Sequence, residues 1–422
     1  MKKLFLIGSI ILVSVFANGQ TTLTIDSCYA RARQQFPLIK QKDLIEQSKD
    51  YNVANAAKGY LPQLSFNGQA TYQSAVTVIP VSIHIPGVDF SIPTISKDQF
   101  NVHGEIDQTI YDGGAIRQQQ QLQAANADVQ EQNIEVQLYA LKDRVNQLFF
   151  GALLIDQELK QNDLVQKDLQ NSIDKVQTSV NNGVALSSNI DELQAELYQQ
   201  QQNAIALKAS RKAYLDMLGL FINLPLDENT VLQTPVTLSV TDNISRPELS
   251  LYDYQKKTDN IQEKLLNVGL RPKLMFFFQG GYALPGLNGF NINPALFYIT
   301  GLRLSWSLGG YYTLKNQRQL LNIDRQSIDI QRDVFLFNTH MALKQQNTDI
   351  VKLQQMITLD NDIIGKRTAV KDAAKVQVDN GTMTVHDYIT QLNAEDQAKQ
   401  NLLLHQVQLI MAEYTYQNTS GN

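Results

Sequence analysis

The sequence repeats one arrangement of segments twice, and this repeat constrains the fold more than any other feature. Each copy reads as a helix, an extended hairpin, a long helix, a tight turn and a returning helix. Equivalent turn glycines, Gly183 and Gly381, lie roughly 200 residues apart, which indicates an internal duplication. We therefore predict a first repeat over residues 20–222, a second over residues 247–422, and an inter-repeat or equatorial loop region at 223–246.

Each repeat contains a hairpin, at 63–111 and at 273–308, in which apolar and polar residues alternate. Phe66 and its second neighbours are apolar or small, whereas Ser65 and its second neighbours are polar. This period of two is typical of strands with one apolar and one polar face. Because about eight strands is the smallest number that closes a useful barrel, we expect three copies to combine their strands into one barrel of twelve. Its apolar face would meet lipid and its polar face would line water.

Long helices are predicted at 115–181 and 311–379, with returning helices at 187–222 and 385–418. No proline interrupts the first long helix, and its apolar residues step by three and four, as in a coiled coil. At ~1.5 Å per residue such a helix is on the order of 100 Å long, which no compact domain requires. A further helical segment, Ile25 to Lys58, precedes the first hairpin and ends at a glycine and a proline.

The composition predicts export and argues against several classes of function. A basic start, an apolar run ending at Phe16 and small residues before Gln20 predict a cleaved signal peptide at residues 1–19. The apolar run is too short for a membrane anchor, which needs ~20 residues. A net charge of −5 gives no basic stripe for nucleic acid. The single cysteine, Cys28, excludes an intrachain disulfide and is interpreted as a small buried residue of the first helix.

Three short motifs resemble those of the TolC-type outer membrane efflux family. They are Ala57-Lys58-Gly59-Tyr60-Leu61-Pro62-Gln63-Leu64 at strand entry, Ile110-Tyr111-Asp112-Gly113-Gly114 at strand exit, and the Asn-Gly turns Asn182-Gly183 and Asn380-Gly381. The resemblance covers essentially the whole mature chain. It implies a membrane α+β fold: a homotrimer whose twelve-stranded β-barrel sits in outer-membrane lipid and continues into a periplasmic coiled-coil barrel of twelve helices.

The same resemblance implies a channel and not an enzyme, with no cofactor. Such channels dock on a periplasmic adaptor protein and an inner-membrane pump, of the RND or ABC type, and pass drugs, other small molecules or unfolded proteins outward. The two Asn-Gly turns are then the expected docking tips for the adaptor. Two alternatives stay open: a periplasmic adaptor or coiled-coil scaffold, and, within the channel class, an exit duct for type I protein secretion.

The resemblance also suggests where the periplasmic aperture closes. Some family members close it with acidic rings after the tip glycine, and Asp387 matches the first acidic position, where three carboxylates would favour cations. Thr390 stands where a second carboxylate often occurs, and Met383 replaces a basic residue. Closure here is therefore expected to rest on packing and neutral hydrogen bonds. The residues expected to contribute are Met383, His386, Asn189 and Asp191.

A simpler interpretation is that Asp387 and Ser187 only cap the helices that begin near them. His386 could likewise make the aperture pH-sensitive or be a solvated tip residue.

Two further sets of residues are candidates within and beside the barrel. Four polar residues are predicted to line the lumen: His103, Glu105, Asp107 and Arg303. We favour polar lining over a metal site because the histidines of the chain are scattered without ligand spacing. Four aromatic residues lie where strands meet helices and are candidates for an interfacial girdle, with ordinary packing as the alternative. They are Tyr111, Trp306, Tyr311 and Tyr312.

Overall fold

The computed structural model describes residues 22–78, 94–238, 241, 243–289 and 291–422. The predicted signal peptide lies outside the described residues. The elements are β1 (Thr22–Leu23), α1 (Ile25–Gln35), α2 (Ile39–Ala57), β2 (Gln63–Tyr72), β3 (Asp98–Tyr111), α3 (Ala115–Tyr139), α4 (Leu141–Asn181), α5 (Ser188–Ile222), β4 (Val231–Leu232), α6 (Pro247–Gly269), β5 (Lys273–Leu284), β6 (Ala295–Ser305), α7 (Tyr311–Asp379) and α8 (Val385–Ser420).

The prediction of one helix from Ile25 to Lys58 was wrong, because Pro37 divides it. Helix α1 ends at Gln35, and Phe36 has an extended backbone with φ −63° and ψ 133°. Proline has no N–H to donate and disfavours a helical conformation in the residue before it. Helix α2 then starts at Ile39.

The first long helix is also two helices, which the sequence did not predict. Helices α3 and α4 are separated at Ala140, whose ψ of −16° is shallower than the value near −42° that an α-helix needs. At this break the Tyr139 hydroxyl donates to the Asn418 carbonyl at 2.9 Å. The Tyr139 ring also meets the cationic groups of Lys142 and Arg246, at 4.6 and 4.7 Å from its centroid. The second long helix, α7, runs unbroken for 69 residues, as predicted.

The chain divides into two compact units. The sheet unit comprises Lys40–Glu135 and Glu248–Phe335, and the helical unit comprises Met1–Ile39, Val136–Pro247 and Leu336–Asn422. None of the helices in the described part of the chain has both the length and the apolar character needed to cross a membrane.

The sheet unit is built on a four-stranded antiparallel sheet in the order β2-β3-β5-β6. The two predicted hairpins, β2-β3 and β5-β6, are therefore joined side by side through β3 and β5. Strand β6 ends at Ser305, slightly before the predicted hairpin limit of residue 308. Where β3 gives way to α3, both carboxylate oxygens of Asp112 accept backbone N–H groups, from Gly114 at 2.8 Å and Ile116 at 2.6 Å, and so cap the helix.

The helical unit has apolar clusters where α4, α5 and α8 meet. The larger one includes Phe149, Phe150 and Leu218, all at most 1% exposed, and the Phe150 and Tyr414 rings pack edge-on with their centroids 5.6 Å apart. Cys28 of α1 belongs to this cluster and is completely buried, which confirms its interpretation as a small core residue. Burial raises the pKa of the Cys28 thiol to about 12.

A parallel pair of very short strands, β1 and β4, adjoins this core and lies partly in the predicted inter-repeat loop region. Thr22 pairs with Val231 and Leu23 with Leu232. Two residues per strand are too few to leave a recognisable alternation, so the sequence did not indicate this pair.

Candidate lumen and aperture

The four strands place most of their large apolar residues on one face, as the alternation predicts. Phe66 pairs with Gly104, Gly104 with Gly280, and Gly280 with Tyr298, so equivalent positions align across all four strands. Phe66 is 80% exposed, although it is a large apolar residue. The other large apolar residues exposed on this face are Leu64, Tyr72, Val102, Phe276, Phe278, Tyr282, Leu296, Tyr298, Leu302 and Leu304. A large exposed apolar surface of this kind marks contact with lipid or protein.

The opposite face brings together three of the four predicted lumen residues. One guanidinium nitrogen of Arg303 lies 2.9 Å from Glu105, and another lies 3.4 Å from Asp107. Arg303 thus reaches from β6 across β5 to two carboxylates on β3. His103 is not part of this group, because its Nδ1 is hydrogen-bonded to Asn101 at 2.9 Å. Among the described residues no cluster of metal-ligating side chains occurs.

The sequence analysis missed the aromatic residues of this polar face. Phe277 lies beneath Arg303, whose guanidinium carbon is 4.6 Å from the ring centroid. Phe297 faces His103, with 6.4 Å between ring centroids. The signal was present, because Phe277 and Phe297 have the same parity as Gln279 and Arg303 on their strands. This signal was masked by the longer series of apolar residues at the even-numbered positions, on the opposite face.

The four predicted interfacial aromatic residues are all exposed and flank the ends of β3 and β6. Tyr312 is the most exposed of them, at 89%. The Trp306 indole N–H donates to the Leu270 carbonyl at 3.0 Å, which fixes the ring where β6 ends. Amphipathic rings of this type favour a membrane–water boundary.

The two helix tips have the same backbone geometry. Gly183 has φ +76° and Gly381 has φ +69°, a left-handed conformation that glycine adopts without strain. The glycine N–H bonds back to Val180 in one tip and to Val378 in the other, each at 2.9 Å. The following residue bonds five positions back in both tips, which completes a Schellman motif. The neighbouring asparagines, Asn182 and Asn380, are exposed.

Asp387 lies in the first turn of α8, next to the residue that caps this helix. The Thr384 hydroxyl accepts the Asp387 N–H at 3.1 Å and donates to the Asp387 carboxylate at 2.7 Å. The cap of α8 is therefore Thr384, and the Asp387 carboxylate contacts the capping hydroxyl. The capping interpretation of Ser187 was wrong, because its backbone is helical and its side chain makes no cap bond.

The remaining aperture candidates are distributed over both tips. His386 of α8 is hydrogen-bonded to Glu192 of α5 at 2.9 Å, so it links the two helices that follow the tip turns. The Thr390 hydroxyl donates to the His386 carbonyl within α8. Met383 and Asn189 are half-buried, and Asp191 is exposed in the first turn of α5. Lys175 and Asp379 form a further ion pair near the tips, at 3.7 Å, which the sequence did not indicate.

A second apolar cluster, which includes Leu169, Leu193 and Leu392, lies nearer the tips, and buried polar side chains separate it from the larger cluster. Asp396 accepts from Gln161 of α4 at 2.9 Å and from Gln400 at 2.8 Å. Burial raises the pKa of this carboxyl despite these bonds. Burial also opposes ionisation of the adjacent Glu395, but the Thr368 hydroxyl and the Lys399 ammonium outweigh it and lower the pKa of Glu395.

One family profile and a group of solved structures match the chain. Residues 28–221 match the model of the outer membrane efflux protein family. The structure of VceC from Vibrio cholerae covers 94% of this chain and 96% of its own, at 12% identity and a TM-score of 0.63. CusC covers 96% of this chain and 95% of its own, at 11% identity and a TM-score of 0.66.

The open state of the Neisseria gonorrhoeae MtrE outer membrane channel covers 94% of this chain and 89% of its own, at 12% identity and a TM-score of 0.62. No protein with a curated description matches the sequence. At these low identities the structural matches establish only the fold. The family match shows, in addition, that the sequence of the first repeat resembles outer membrane efflux proteins. Together they confirm the resemblance that the sequence motifs predicted: residues 28–221 match the outer membrane efflux protein family, and the chain has the fold of the solved TolC-like outer membrane channels.

Proposed function

We propose that the protein is a homotrimeric outer-membrane export channel. The observation that carries this proposal is the four-stranded sheet, which has one apolar and one polar face and, within the described residues, two edges, β2 and β6, that pair on one side only. Unpaired strand edges and exposed apolar side chains are costly unless another chain covers them. Three copies that pair β6 of one with β2 of the next would close a barrel of twelve strands, with the apolar face in lipid and the polar face around water.

A heptad pattern on α7 supports the same assembly. Five apolar residues occupy a or d positions, yet each is about half exposed or more in the single protomer: Ile323, Ile330, Val334, Phe337 and Met341. Such a seam is typical of a helix that packs against another helix. Neighbouring protomers would supply the missing surface along a ring of helices in the periplasm.

The expected partners are a periplasmic adaptor protein at the helix tips and an inner-membrane pump of the RND or ABC type. Exposed Val184 and Leu186 on the first tip offer an apolar contact for the adaptor. The pump would select the cargo, whether drugs, other small molecules or, in a type I secretion duct, an unfolded protein. The adaptor or scaffold alternative is not favoured, because a soluble protein of that kind would not expose a sheet of two hairpins with one largely apolar face to water.

Purification from a membrane fraction tests this function. We expect the protein in the outer-membrane fraction, a detergent-corrected mass of about three protomers by light scattering, and stable conductance in planar bilayers. A water-soluble monomer that requires no detergent would contradict the channel and restore the scaffold alternative.

The role proposed for Asp387 in ion selectivity can be separated from its contact with the capping residue Thr384. Asp387→Asn removes three charges from the aperture of the trimer but leaves an oxygen to accept the Thr384 hydroxyl. We expect it to lower the cation-to-anion permeability ratio and to leave the melting temperature unchanged. Thr384→Val removes the cap, costs about 1 kcal/mol per helix, and should lower the melting temperature without changing the permeability ratio.

Reversal potentials in a salt gradient and thermal unfolding of both variants give the two readouts. An unchanged permeability ratio in Asp387→Asn would mean that Asp387 serves only the start of α8.

A further inference from the structure

The polar face of the sheet carries an apolar patch that a water-lined surface does not explain. Four apolar side chains of β5 and β6 lie on this face: Met275, Phe277, Phe297 and Ile299. Like Arg303, they occupy odd-numbered positions of their strands, so their side chains lie on the face opposite the exposed apolar face. The lumen side of a transmembrane barrel is usually polar. These residues therefore form a distinct surface, which we call the aromatic patch.

Two glycines that pair with the strand positions of the patch leave space for its two aromatic rings. Gly301 is the partner of Phe277 across the β5-β6 pair, and a Cβ at Gly301 would lie 3.2 Å from the Phe277 ring. Gly281 lies between His103 and Phe297 in the register, and a Cβ there would lie 2.6 Å from the His103 Cβ. A side chain at Gly301 would press on the Phe277 ring, and one at Gly281 would collide with β3.

The charges beside the patch leave a net negative site. Glu105 and Asp107 contribute two negative charges, and Arg303, which contacts both, contributes one positive charge. At the same time the Arg303 guanidinium lies over the Phe277 ring. The side chain of Arg303 thus already has the arrangement that a planar organic cation would adopt, with its charge near carboxylates and its plane near an aromatic ring.

We propose that the aromatic patch is a transit site for aromatic organic cations. The aromatic part of the cargo would contact Phe277 and Phe297, and its charge would lie near Glu105 and Asp107. The proposal rests on the export channel proposed above, because only in the closed barrel does this face line the lumen, three times per trimer. Conduction requires that a site bind strongly enough to be entered and weakly enough to be left, which suits contact with half-buried aromatic rings beside water.

Block of single-channel conductance tests the proposal. The probes are ethidium, an aromatic cation, tetraethylammonium, a non-aromatic cation, and 8-anilinonaphthalene-1-sulfonate, an aromatic anion. We expect ethidium to block the wild-type channel at lower concentration than either of the others. Phe277→Leu combined with Phe297→Leu should raise the ethidium concentration for half-block roughly five-fold, because the cation–π contacts are lost while most of the apolar volume is kept. Glu105→Gln should weaken ethidium block and leave block by the anion no weaker.

The matched control is Phe276→Leu, which makes the same change on the neighbouring residue of the apolar face and should leave ethidium block unchanged. Equal block by ethidium in the wild type and the double variant would overturn the transit site. Block by the aromatic anion as strong as by ethidium would also overturn it. Conductance without selective ethidium block would refute this inference alone, whereas a protein that forms no channel at all would refute the proposed function with it.

Discussion

Replacing Phe66 by arginine is expected to abolish assembly into the outer membrane, whereas arginine at the adjacent Ser65 should be tolerated. Phe66 lies on the apolar face and is 80% exposed in the protomer, so in a barrel it would meet hydrocarbon. Arginine on the lipid face costs about 2–4 kcal/mol near the bilayer midplane, and a trimer would incur this cost three times. That sum is comparable to the whole stability of a typical domain.

Ser65 is a close control because it is the adjacent residue of the same strand and lies on the opposite face. It pairs with Glu105 on β3, so an arginine there would face water beside a carboxylate. The measurement is the amount of heat-modifiable trimer in the outer-membrane fraction for each variant. Equal trimer levels in Phe66→Arg and the wild type would show that this face does not meet lipid, and loss of trimer in both variants would show that β2 tolerates no charge on either side.

Strand faces and the longest helix could be predicted from the sequence because each follows from a simple periodicity. A strand alternates with a period of two, so once Phe66 is assigned to one face its neighbours are fixed as well. Helix α7 could be predicted from the absence of proline and the presence of a glycine near each end, and its bounds are those predicted. The tip turns were equally readable, because Asn-Gly is a strong signal for a left-handed residue.

The errors occurred where a local signal was outweighed or absent. Pro37 is a helix-breaking signal in the sequence, but the helical spacing on both sides of it led to the prediction of one continuous helix. Ala140 gives no signal at all, since alanine is the best helix former, and the break there coincides with contacts of Tyr139 to residues far along the chain. The bond between His386 and Glu192 also joins residues that only the fold brings together.

Glutamate at Ile330 is expected to reduce the purified protein from trimer to monomer, whereas glutamate at Gln331 should leave the trimer intact. Ile330 occupies a d position of the exposed seam on α7 and is 63% exposed in the protomer. In the trimer its side chain would be buried against a neighbouring helix, and an unpaired charge there would lose its hydration without a partner. Because the residue is exposed in the single chain, the folding of the protomer itself should change little.

Gln331 tests the same helix one position further on, outside the heptad seam, where glutamate faces solvent and has nearly the same helix propensity as glutamine. Light scattering with detergent correction gives the mass, and far-ultraviolet circular dichroism reports the helical content of each variant. A monomer with wild-type helical content in Ile330→Glu would identify the seam as a contact between protomers. A trimer of wild-type stability in the same variant would exclude the seam from the interface and leave the strand edges as the only support for closure by three copies. The two Discussion predictions therefore test the assembly independently, because one changes a strand of the barrel and the other changes a helix.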